Sequence, residues 1–129
     1  MILVADCGST KSEWCLIDRQ GKIGESLFTP GMNPYFLTSE EIKEIIRQEL
    51  YSRLGENNSQ ITAIHFYGAG CATPEKCKKI ADALKSYWQV QVFVYSDLVA
   101  AAHALCGNKA GIPCILGTGS NSCLYNGTE

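Results

Sequence analysis

Two short stretches combine glycine, hydroxyl and charge in the manner of loops that hold phosphate. Asp6-Cys7-Gly8-Ser9-Thr10-Lys11-Ser12 follows the apolar run Ile2–Ala5, and Gly117-Thr118-Gly119-Ser120-Asn121-Ser122 follows Pro113–Leu116. In the first, Gly8 allows close backbone approach, Ser9 and Thr10 offer hydroxyl and amide donors, and Lys11 supplies a point charge. Asp6, at the end of its strand, suits a hydrated Mg²⁺ beside such phosphates. Each loop taken singly reads equally well as an ordinary glycine turn. Two of them, each after an apolar strand in one short chain, carry more weight. Neither matches an established nucleotide motif. The first lacks the leading glycine of G-x-x-x-x-G-K-[ST], and the second has Ser122 where G-x-G-x-x-G needs glycine.

Asp97 is the strongest candidate for catalysis. It stands where Val90–Tyr95 reads as a strand and the Ala-rich run after Ser96-Asp97 reads as a helix. Ser and Asp at such a junction are ordinary N-caps. The functional alternative is a carboxylate at the C-terminal edge of the sheet, where open α/β sheets place ligands. There it accepts the proton of a substrate hydroxyl during phosphoryl transfer. Asn33, read on its own beside Pro34, is loop chemistry.

The elements that must position these groups are legible from periodicity. Ile2–Ala5, Glu13–Asp18 and Lys22–Phe28 predict three strands joined by short turns, a meander rather than a βαβ opening. Residues 29–34 (TPGMNP) break all regularity. Thr38 and Glu41 fit a capping box, with Leu37 and Ile42 at staple positions. Ile42, Ile45, Ile46, Leu50 and Leu54 then mark one helical face, which Gly55 stops. Ile61–Tyr67 predicts the next strand, ending in Gly68-Ala69-Gly70. Thr73-Pro74 opens a second helix with Cys77, Ile80, Ala81, Leu84 and Trp88 inward. The Ala-rich helix ends at Gly107. The order is βββαβαβα, an α/β mixed sheet with helical crossovers. Pro113–Leu116 and Ser122–Tyr125 predict a further strand pair, and Asn126-Gly127 a hairpin turn.

Composition bounds the partners. The chain has 129 residues, 11 Lys+Arg against 13 Asp+Glu, and a net charge of -2. That balance argues against nucleic acid, whose binding surfaces cluster Lys and Arg. No apolar run approaches the roughly 18 residues of a membrane span, and the N-terminus lacks a basic signal-peptide start. The 7 cysteines are odd in number and loosely spaced, with no C-x-x-C. They read as reduced core thiols of a cytoplasmic protein.

Five motifs in order carry a family resemblance: D-C-G-S-T-K-S-E-W at 6–14, G-M-N-P-Y at 31–35, F-Y-G-A-G at 66–70, S-D-L-V-A-A-A-H-A-L at 96–105 and I-L-G-T-G-S-N-S at 115–122. Together they resemble the N-acetylglucosamine kinase branch of the BadF/BadG-type ATPases, in the actin/hexokinase/Hsp70-like superfamily. The resemblance implies a ribonuclease H-like (actin-like ATPase) lobe over 1–110, with 111–129 beginning a second lobe whose remainder is missing. It implies ATP and Mg²⁺ as cofactors and an amino sugar as substrate, N-acetylglucosamine or glucosamine first, phosphorylated at a hydroxyl. Residue by residue, Gly8, Ser9, Thr10 and Lys11 match the first phosphate loop and Asp6 the Mg²⁺ position. Gly117, Thr118 and Gly119 match the second phosphate loop, with Ser120 and Asn121 continuing toward the sugar. Asn33 matches the asparagine that binds sugar hydroxyls, Gly70 lines the cleft, and Asp97 matches the catalytic base.

Two rivals remain. BadF-type activators of CoA-ester reductases and dehydratases share the first loop, but carry a GGQD-type second loop and dedicated cluster cysteines that this chain lacks. A non-catalytic nucleotide- or sugar-binding actin-like domain is the other. The adenine-binding segment of the superfamily lies in the second lobe, so the chain alone is expected to be inactive as a kinase. A homodimer is one assembly left open.

Overall fold

The computed structural model describes residues 1–106 together with the backbone of residues 114–116 and 120–122. Alternation along β1 (Ile2–Cys7) sets the layering: Leu3, Ala5 and Cys7 are buried in the core, whereas Ile2, Val4 and Asp6 belong to the opposite face. β1 pairs antiparallel with β2 (Lys11–Ile17) and parallel with β4 (Ala63–Gly68). β3 (Leu27–Pro30) lies outside β2, and β5 (Gln91–Ser96) runs parallel to β4, giving the order β3-β2-β1-β4-β5. The expected βββαβαβα order is therefore the observed one for the five-stranded sheet and its helices.

One face of the sheet is covered by α1 (Ser39–Ile45) with its continuation and by α3 (Pro74–Lys85). Thr38 caps α1 through the complete capping box with Glu41. Thr73 caps α3, with Pro74 in its first turn. Ile42, Ile46, Leu50, Ile80 and Leu84 are fully buried against Leu3, Trp14, Ile64 and Phe66. On α3 it is Ala83, rather than the expected Ala81, that is buried. The opposite face carries stacked cross-strand pairs, His65 on Phe93 and Tyr67 on Tyr95, at centroid distances of 4.8 and 5.4 Å. α4 (Asp97–Cys106) lies over that face, where His103 meets Tyr67 edge-on.

Three elements depart from the sequence reading. The helix after Thr38 is not uniformly α: Ile46–Tyr51 is π-helical, followed by α2 (Ser52–Leu54) and a 3₁₀ segment, Gly55–Gln60. The four-residue spacing Ile42, Ile46, Leu50, Leu54 explains the widening. In an ideal α-helix each such step drifts by about 40°, and a wider turn returns the side chains to the core. The third strand starts at Leu27, not Lys22; only a bridge from Ile17 to Ile23 remains of the earlier segment. That bridge is one residue out of register with the Trp14–Leu27 pairing, so residues 24–26 form a bulge that detaches the strand. Finally, β6 (Cys114–Leu116) pairs with β7 (Ser120–Ser122), so the second strand begins at Ser120 rather than Ser122. The expected Asn126-Gly127 hairpin lies outside the described residues.

Close backbone packing joins the segment after β3 to the β1–β2 turn. A Cβ at Gly31 would overlap the carbonyl oxygens of Gly8 and Ser9. Backbone cannot yield as a flexible side chain can. Gly31→Ala is expected to destabilise the chain by about 2 kcal/mol or more, the upper range for overpacking. Thermal unfolding would show a fall in Tm of several degrees, and an unchanged Tm would refute the contact.

Candidate functional site

The β1–β2 turn is the hub of the candidate site. Gly8 N–H donates to Lys11 O at 2.9 Å, closing the turn, and Thr10 O accepts from Gly31 N–H at 3.0 Å. Cys7 lies buried beneath it, its Sγ accepting from Ser12 Oγ (2.8 Å) and from Met32 N–H (3.2 Å). Lys11 Nζ stands 5.7 Å from the centre of the Phe28 ring.

Asn33 is brought against the turn and is 8% exposed. Its Nδ2 donates to Ser9 Oγ at 3.0 Å, and its Oδ1 accepts from Tyr35 N–H at 2.9 Å. Its backbone oxygen accepts from both Phe36 N–H and Leu37 N–H. One amide hydrogen of Nδ2 remains for a ligand. Gly70, at φ +79°, fits because a Cβ there would overlap Asn33 Oδ1. Both the loop role of Asn33 and its capacity to meet a ligand are thus visible in one side chain.

On the other side of the turn a cavity of about 980 Å³ is lined by Asp6, Gly8, Lys11, Glu13, Tyr67 and Asp97, with an alanine wall from α4. The C-terminal ends of β1, β4 and β5 meet there, as expected of Asp97 from its position after β5. Ser96 performs the helix cap: its Oγ accepts from Leu98 N–H at 3.2 Å. Ser96 Oγ also donates to Asp97 Oδ1 at 3.3 Å. The carboxylate of Asp97 is accordingly not needed to cap α4. A separate cavity of about 710 Å³, lined by Leu3, Trp14, Asp18, Lys22 and Arg53, contains none of the candidate residues.

The structure therefore brings together Asp6, Gly8, Lys11 and Asp97 on one side of the turn, and Ser9, Asn33 and Gly70 on the other. Gly117, Thr118 and Gly119 lie outside the described residues. Ser120 and Asn121 belong to β7 rather than to a loop. Glu13 is an addition that sequence reading passed over. Its signal was the hairpin register, which sets it directly across from Asp6. Among the described residues, no group of three or more His, Cys, Asp or Glu side chains could hold a metal ion by itself.

Burial raises the Asp6 carboxyl above its ordinary value, and the nearby charges of Asp97 and Glu13 push it further the same way. An acid whose folded pKa is raised loses stability as pH climbs from the unfolded value, near 3.9, through the folded one. The cost is then fully present at neutral pH. Asp6→Asn is expected to raise Tm at pH 7 relative to wild type, with the gap closing below about pH 4. Parallel melts across that range check it; a lower Tm at pH 7 would contradict the repulsion.

No protein-family model matches the chain, and no curated protein sequence matches it significantly. Solved structures do. A proposed N-acetylglucosamine kinase of Porphyromonas gingivalis is 45% identical over 100% of this chain, with a TM-score of 0.93. A ROK family glucokinase of Streptomyces griseus, solved with glucose and AMPPNP, is 20% identical over 98% of the chain, with a TM-score of 0.69. A ROK family transcriptional regulator, a homologue of the E. coli MLC protein, is 13% identical over 98%, with a TM-score of 0.65. The chain spans about half the length of the first two, 46% and 45%, and 37% of the third. The last two likenesses show the fold alone. The five-stranded sheet and its helices are the N-terminal lobe of the actin-like ATPase fold found in sugar kinases.

Proposed function

We propose that the full-length protein is an ATP-dependent kinase of an amino sugar, N-acetylglucosamine first and glucosamine next, of the N-acetylglucosamine kinase branch of the BadF-type ATPases. One observation carries this reading: Asp97, relieved of capping by Ser96, shares a cavity with Asp6 and the Gly8–Lys11 turn. The likeness to the Porphyromonas gingivalis protein supports the sugar class. The second glycine motif, GTGSNS rather than a GGQD type, weighs against the activator alternative.

In this reading Asp97 accepts the proton of a sugar hydroxyl as that oxygen bonds to the γ-phosphorus and the bond to ADP breaks. Asn33 orients the sugar through its second amide hydrogen, with Gly70 giving it room. Gly8, Ser9, Thr10 and Lys11 hold the phosphates from one side. By the family resemblance, Gly117, Thr118 and Gly119 are assigned to the phosphates as well, and Ser120 and Asn121 to the sugar. Asp6 fits Mg²⁺ held through water, because a partly buried carboxylate facing two other acids is stabilised by a cation. When bound, that ion neutralises phosphate charge. Cytoplasmic location is part of the same proposal: Cys7, Cys15, Cys71 and Cys77 are free thiols, and no helix among the described residues is long and apolar enough to cross a membrane.

The test is ADP release by the full-length protein with ATP and Mg²⁺ across a panel of hexoses and hexosamines. Release that depends on a hexosamine is expected. Sugar-independent hydrolysis would favour an activator, and sugar binding without ADP release a non-catalytic sugar-binding domain. In the same protein Asp97→Asn is expected to lower kcat by the roughly 10²–10⁴-fold that a general base contributes. Unchanged turnover would leave Asp97 without a catalytic role.

A further inference from the structure

Two lysines of α3 reach out of the helix to the Asn33 loop. Lys79 Nζ donates to the backbone oxygen of Pro34 at 2.9 Å and to that of Leu37. Lys76 Nζ sits 4.7 Å from the centre of the Tyr35 ring. Pro34 directly follows Asn33, and Leu37 donates its own N–H back to Asn33 O. Lys79 therefore grips both ends of the turn that Asn33 opens. Two carbonyl oxygens converging on one point repel unless a cation lies between them, and charge-assisted bonds of this kind are about twice as strong as neutral ones. The grip is anchored: Ile80, Ala83 and Leu84 of α3 are fully buried in the core.

We propose that Lys79 is a positioning residue for Asn33, setting sugar affinity without touching the sugar; this rests on the kinase reading above. Lys79 is half-buried at the rim, and the apolar contacts between α1 and α3 do not involve its ammonium group. Removing that group unties the turn from α3 while the sheet and both helices stay packed. Asn33 then loses its single pose, and Tyr35 N–H loses its acceptor. Asp97 stands on the β5–α4 junction and is not reached by this change, so the effect falls on sugar binding and not on the chemical step.

The test uses the full-length protein. Lys79→Met is expected to raise the KM for the hexosamine about tenfold, the scale of a lost hydrogen bond to a charged group, with kcat and the KM for ATP within about twofold. Hydrogen exchange of the Tyr35 amide, which reads the pose of Asn33 directly, should quicken while β1 amides stay protected. Lys79→Arg should restore most of both, since a guanidinium also donates to two carbonyls. On an Asn33→Ala background, Lys79→Met should add less than about twofold, because coupled residues are non-additive. An unchanged sugar KM in Lys79→Met where Asn33→Ala raises it, or full additivity, would overturn the proposal. If the Tyr35 amide responds but neither variant shifts the sugar KM, the hold on Asn33 stands and the sugar role of Asn33 falls.

Discussion

Everything around the site depends on one close approach, the backbone of Gly31 lying on the carbonyls of Gly8 and Ser9. From that contact Gly31 N–H reaches Thr10 O, Met32 N–H reaches Cys7 Sγ, and Asn33 Nδ2 reaches Ser9 Oγ. The elements on either side serve it. β3 ends at Pro30, an edge position where a missing N–H costs no ladder bond. β4 ends in a turn whose Gly70 leaves space for Asn33 Oδ1. Position 7 must be apolar enough for the core yet accept from both a hydroxyl and an N–H. A buried thiol meets both demands, since its sulfur is a weak acceptor on a small hydrophobe.

The acids oppose this order. Asp6 faces Glu13 directly across the β1–β2 pair, and like charges in that position destabilise a sheet. Asp97 adds to the repulsion, which is why the Asp6 carboxyl is displaced upward. The fold tolerates it because the same strands bury Leu3, Ala5 and Trp14 on their other face. Cys7, Cys71 and Cys77 take no share in this acid chemistry: burial pushes the Cys71 thiol up to about 12 and raises Cys7 and Cys77 as well, so all three stay protonated and unreactive at neutral pH.

Local rules read the scaffold well where a single element decides the outcome. Thr38 with Glu41, Thr73 with Pro74, and Gly55 mark their helix boundaries because caps and stops are short-range chemistry. The π-helical segment was present as a strict four-residue spacing, but only the buried outcome of Leu50 and Leu54 shows that the backbone, not the side chains, gave way. β3 starts later than its segment implies because a one-residue bulge near Gly24 is set by pairing with β2, which no single segment reveals. In the site, Asp6, Gly8, Lys11 and Asp97 were legible from type and position. Glu13 needed the register, and Lys79 needed the tertiary approach of α3 to a loop 42 to 45 residues earlier.

The order Ser96-Asp97 is itself informative. Either residue can cap a helix. In the structure the hydroxyl takes the cap, accepting from Leu98 N–H, and turns its proton toward Asp97. A carboxylate used as the cap would have its oxygens committed to backbone N–H groups and would be a poor proton acceptor. With Ser96 in that post, the acid sits at the end of β5 beside the cavity, restrained by one hydroxyl and still able to accept. The dipeptide is thus divided between a structural donor–acceptor and a carboxylate with unused accepting capacity, and that capacity is what the role proposed for Asp97 requires.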